Sequence, residues 1–162
     1  MRRPGTRLAA ALAAALAAAG ASACGSAGPD ATPPACLGGP GAYLSALRAA
    51  PAPARLAGGT PISACLPARQ EPGDQAKVAA ALVRAATQLN ARALRDPAGR
   101  ASVSLGYLAG ALERGTAGGS GIQAELVRRV ESAARFSGGA GPLPAAFERG
   151  YARGLAAGRA TG

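Results

Sequence analysis

The chain has 162 residues, enough for one modest domain, and carries 18 Lys+Arg against 8 Asp+Glu, with Lys77 as its one lysine. Histidine and tryptophan are absent, which removes the usual general base at neutral pH and the commonest metal ligand. Alanine, glycine, proline and arginine dominate, all residues of GC-rich codons, so the 49% hydrophobic share is mostly alanine and a core must come from close helix approach or a covalent staple.

Arg2, Arg3 and Arg7 open a positive region, and Leu8 to Ala19 reads LAAALAAALAAA before Gly20 and the small residues Ala21-Ser22-Ala23. A charged start, a short apolar run and a small-residue cleavage site make the pattern of a secretory signal peptide. The run is far short of the ~20 residues that a membrane span needs. Cys24 follows directly, and Ala21-Ser22-Ala23-Cys24 resembles the lipobox of a bacterial lipoprotein precursor. The match lies at Ser22, Ala23 and Cys24, with Ala21 where leucine is more usual.

The resemblance covers residues 1–24 alone. It implies removal of 1–23, a lipid on the Cys24 sulfur, and the membrane as a partner held through that lipid on its outer face. Ordinary cleavage after Ala23, leaving a secreted chain with a free Cys24, is the alternative. An exported protein with three cysteines calls for an explanation. Lipidation of Cys24 leaves Cys36 and Cys65 as a natural disulfide pair, with Cys24–Cys36 as the rival bond. Two isolated cysteines without a CxxC or a histidine do not complete a zinc site, and no cofactor is implied.

Residues 24–42, CGSAGPDATPPACLGGPGA, are rich in Gly and Pro and predict a linker, with a helical domain over 43–162. Tyr43 to Arg48 predicts a short helix, Gly58-Gly59-Thr60-Pro61 a turn, and Pro61 to Pro67 an irregular stretch that the disulfide ties down. Asp74 is a candidate N-cap, after which Val78, Leu82, Ala85, Leu89 and Ala93 share one helical face until Asp96-Pro97 ends the element. The next helix, about Ala98 to Arg114, is apolar nearly all round, as expected of a central helix.

Beyond the Thr116–Gly121 loop, a third helix to about Phe136 turns Ile122, Leu126, Val130 and Ala133 inward. Glu125 with Arg129 and Glu131 with Arg135 stand ready to pair on its outer side. Ser137 to Pro144 predicts a loop. The last helix carries a stripe of Phe147, Tyr151 and Leu155 beside Gly150, Gly154 and Gly158, while Arg149, Arg153 and Arg159 lie off it. Glycine costs about 1 kcal/mol against alanine in a helix, so the triplet predicts a groove for another helix backbone, at Gly106 and Gly110. The expected fold is therefore all-α, a small bundle of about four helices behind an irregular, disulfide-tied N-terminal segment.

Catalytic motifs are missing: no phosphate loop, no HExxH and no GxSxG. Glu148 and Tyr151 are neighbours on one helix, which favours a solvated role, and Ser63 beside Cys65 has no histidine to activate it. A non-enzymatic envelope protein is therefore expected, with an unrecognised enzyme as a distant third alternative. Its module binds either an unknown envelope protein along Phe147, Tyr151 and Leu155, or anionic polymers or lipid headgroups through Arg128, Arg129, Arg149 and Arg153. Export and the low aromatic content argue against nucleic acid. Without residues 1–23 the charge stands at 15 positive to 8 negative.

Overall fold

The computed structural model describes residues 31–117, 121–134 and 142–162. The expected signal peptide, Cys24, Arg135, Phe136 and most of the two glycine-rich loops lie outside them, as does the side chain of Ile122. Among the described residues the protein is all-α. It has five α-helices: α1 Gly39–Ala46, α2 Pro72–Arg95, α3 Arg100–Thr116, α4 Gly121–Ala134 and α5 Ala145–Thr161. No described helix is long and apolar enough to cross a membrane.

The first correction concerns the linker. Its second half is folded: Pro34–Leu37 form a 3-10 turn, and α1 starts at Gly39, four residues before the expected helix. Proline is tolerated in a first helical turn, because its missing N–H would have no partner there. Pro40 therefore opens a helix in a stretch whose composition signals a linker. Tyr43 on α1 is fully buried and its hydroxyl donates to the Cys36 carbonyl at 2.8 Å, closing the turn onto the helix.

Cys36 and Cys65 are bonded to each other, and both are buried. Between them the chain stays short-ranged: 3-10 turns at Leu47–Ala49, Ala57–Gly59 and Ile62–Cys65, and one bridge between Arg55 and Pro61 around the left-handed Gly58 and Gly59. Leu47, Ala54, Leu56 and Ile62 from this segment, and Leu66 just beyond it, are buried in the common core.

Helix α2 begins at Pro72, so Asp74 is not its N-cap. It stands in the first turn, where a carboxylate favours the helix dipole, and lies 3.7 Å from Lys77. The expected inward face is buried as a set, with Ala81, Ala86 and Asn90 added. Helix α3 is central. Every residue from Ser102 to Leu112 is buried, and α2, α4, α5 and the turn at Ile62–Cys65 pack around it. In α4, Leu126 and Val130 point inward, together with Ala134 more than Ala133.

The closest packing joins α3 to α5. A methyl group on Gly106 or Gly110 would fall within 3.0 Å of the Tyr151 or Leu155 carbonyl oxygen. In return, methyls on Gly154 and Gly158 would strike the carbonyls of Val103 and Tyr107. Gly150 is looser, with the Ser102 Cβ at 3.1 Å from such a methyl. Successive contacts advance in the same direction on both helices, so α3 and α5 run parallel, and α4 is the return element between them. At this separation Cα–H groups reach carbonyls across the interface, each worth about 0.5–1 kcal/mol.

The interlock, the open start of α2 and the disulfide each set a stability outcome. Gly154→Ala gains about 1 kcal/mol of helix propensity yet loses more by forcing the helices apart, for a net destabilisation of about 1–2 kcal/mol. Gly73→Ala, in open space at the start of α2, stabilises by about 0.4–1 kcal/mol. Urea unfolding of the two variants beside the parent reads both signs. Replacing Cys36 and Cys65 by serine lowers stability by about 3.5 kcal/mol on the chain-entropy model, measured the same way.

Candidate functional site

Side chains on α3 that carry polar atoms are satisfied by the segments around them. Ser104 donates to the Leu47 carbonyl at 2.9 Å, and Ser102 to the Pro97 carbonyl at 2.8 Å. The Tyr107 hydroxyl accepts the Ala54 N–H at 3.0 Å and lies 3.0 Å from Thr161 Oγ1. Because the Thr161 hydroxyl donates to the Ala157 carbonyl, Tyr107 is the donor to Thr161. The relay from Ala54 to α5 is thus complete, and it is structural.

At the C-terminal ends of the parallel pair, Glu113 of α3 pairs with Arg159 of α5, and Arg114 donates to the carbonyls of Arg159 and Ala160. Arg114 thereby meets the negative end of the α5 dipole. Ser63 donates to the Gly162 carbonyl oxygen. Tyr151 lies half-buried beside this cluster, stacked on Phe147 with ring centroids 5.7 Å apart. Burial first, then the charges of Glu131 and Glu113, push its phenol above the ordinary range, and Arg159 opposes them. Glu148, its expected neighbour, is exposed and plays no part in that shift.

The interaction stripe requires correction. Phe147 is buried in the core, and Tyr151 and Leu155 are only half-exposed, because their own backbone seats Gly106 and Gly110. The stripe and the glycines form one internal packing face. Among the described residues, the large apolar side chains that do stand exposed, Leu37, Leu94 and Leu143, lie elsewhere in the chain.

The four candidate arginines do not converge. Arg128 and Arg129 are on the outer side of α4, where Arg128 pairs with Glu125 through Nε at 3.1 Å and Nη2 at 2.5 Å. The expected partner, Arg129, is therefore displaced by an i,i+3 neighbour. Arg149 and Arg153 instead line a cleft of about 340 Å³ with Gly150 and Ala146 of α5, Ala98 of the α2–α3 turn and Val103 of α3. Both are exposed, and neither has an ion pair or hydrogen-bond partner among the described residues. Parallel packing is what makes this cleft, since it sets the first turns of α3 and α5 side by side.

A second groove of about 500 Å³ runs between α1 and the Pro53–Ala57 stretch, walled by Ala42, Ala46, Ala49 and Leu56, with Arg55 at its edge. Sequence periodicity identified neither concavity, because each is walled by segments distant in the chain. No group of three or more metal-ligating side chains occurs among the described residues. Compared with known proteins, the chain matches no family model, no curated protein and no solved structure.

Two buried or half-buried tyrosines give the fold a pH signature. Burial raises the Tyr43 phenol as it does that of Tyr151. A phenol whose folded value exceeds its unfolded value holds its proton more tightly when folded. Its contribution is whole below about pH 10 and is lost as pH climbs toward the folded value. Urea midpoints from about pH 9 to about pH 11 should therefore fall, and fall less steeply in Tyr43→Phe.

Proposed function

We propose that this chain is an exported, lipid-anchored envelope protein whose folded part is a non-enzymatic binding module. The observation that carries the reading is the buried Cys36–Cys65 bond. Disulfides of this kind persist outside the cytosol. The bond also leaves Cys24 as the one remaining thiol, directly behind an arginine-led, alanine/leucine-rich leader.

Of the two ligand classes, the arginine-bound one has the better support. A protein partner along Phe147, Tyr151 and Leu155 has little apolar surface to meet, since Phe147 belongs to the core. Arg149 and Arg153 offer unpaired charge at a concave surface, suited to an anionic envelope polymer or lipid headgroup. A basic side chain near an anionic surface contributes about 1 kcal/mol. Binding of this kind weakens with salt.

Metabolic labelling with a fatty acid tests the anchoring. The parent chain takes up label and sediments with membranes, whereas Cys24→Ala stays unlabelled. Recovery of the full-length chain inside the cell, with Met1 retained and Cys36 and Cys65 reduced, overturns the reading.

A further inference from the structure

The lining of the Arg149–Arg153 cleft narrows its ligand. The two arginines stand one helical turn apart on α5, so their Cβ atoms are about 5–6 Å apart and both guanidiniums can reach one bound group. Arg100, Arg114, Arg128 and Arg159 are already engaged, on the Arg48 carbonyl, the last carbonyls of α5, Glu125 and Glu113 respectively. Arg149 and Arg153 are not, and no acidic side chain lines the cleft. Asp96, two residues before the lining residue Ala98, sets its carboxylate against Gly99 at the start of α3, and the two guanidiniums are the charged groups of the lining.

We propose that this cleft holds a phosphodiester group, an inference that rests on reading the module as a binder of anions. A planar carboxylate presents both oxygens along one edge and is satisfied by a single guanidinium fork. The two non-bridging oxygens of a tetrahedral phosphodiester diverge, and each can accept from a different arginine. The remaining wall is small and apolar, from Ala98, Val103 and Ala146, and suits the methylene groups of a glycerol ester. The volume of about 340 Å³ accommodates the phosphate with its flanking carbons. The same chemistry occurs on a phospholipid headgroup and on a water-soluble glycerol phosphodiester.

The test follows the arginine Nε–Hε signals of the 15N-labelled full chain in a neutral maltoside detergent by NMR. Glycerophosphoglycerol, acetate and phosphatidylglycerol added to the micelles are the three probes. A saturable shift of the Arg149 and Arg153 signals with the soluble diester, about tenfold weaker with acetate, supports the site and a free ligand. A shift with phosphatidylglycerol alone supports the site and a headgroup. The backbone amides of Ala98 and Ala146 in the lining shift in the same titrations, and R149Q/R153Q removes that amide response while R128Q/R129Q keeps it. Ala98→Glu, which sets a carboxylate in the lining without touching either arginine, weakens binding severalfold. No shift with either diester, an equal response to acetate, or a response that survives in R149Q/R153Q overturns the proposal. None of these outcomes bears on Cys24 labelling, so the two failures are distinguishable.

Discussion

Helix α3 has no face to give to water. From Ser102 to Leu112 it is buried without a break, so each direction around its axis must be covered by something else in the chain. The tightest cover is α5, and it reaches that closeness because both helices dispense with side chains where their backbones meet. Gly106 and Gly110 receive carbonyls of α5, while Gly154 and Gly158 receive carbonyls of α3. In a chain so poor in large apolar residues, backbone approach replaces side-chain volume as the means of filling space. The remaining directions fall to α2, α4 and the N-terminal segment.

That segment supplies more than bulk. A buried hydroxyl left unmatched costs about 1–3 kcal/mol, and α3 carries several. Leu47 offers its carbonyl to Ser104, and Ala54 offers its N–H to Tyr107. A mid-helix N–H, already given to its own helix, could not serve Tyr107 as the Ala54 N–H does. Ala54 lies in the irregular stretch between two 3-10 turns, and the Leu47 carbonyl accepts from Ala50 N–H and Ser104 together, all within the loop that the disulfide closes. Irregularity here is a requirement of the central helix.

Much of this architecture was legible in the sequence. The inward face of α2, Leu126 and Val130 on α4, the centrality of α3, the Cys36–Cys65 pair and the meeting of the two glycine stripes are all local patterns or simple arithmetic. The errors have a common source, because composition is a poor guide where one residue has two uses. Gly38 to Gly41 resembles a linker, yet proline opens a helix as readily as it ends one. Asp74 resembles a cap, yet Pro72 starts the helix earlier. Phe147 resembles a surface anchor, because periodicity gives the direction of a side chain relative to its own helix and not what stands opposite. The Arg149–Arg153 cleft was hidden for the same reason: its far wall is Ala98 and Val103, some fifty residues away.

The placement of Cys36 has a mechanical consequence. A pull arriving from the N-terminal side crosses the Thr32–Gln70 hydrogen bond and then meets Cys36, whose bond to Cys65 offers a covalent shortcut toward α2. The 28 residues between the two cysteines then hang slack beside the line of force. Tugging at the N-terminal lead would load the long second helix while leaving the turns that serve α3 undisturbed.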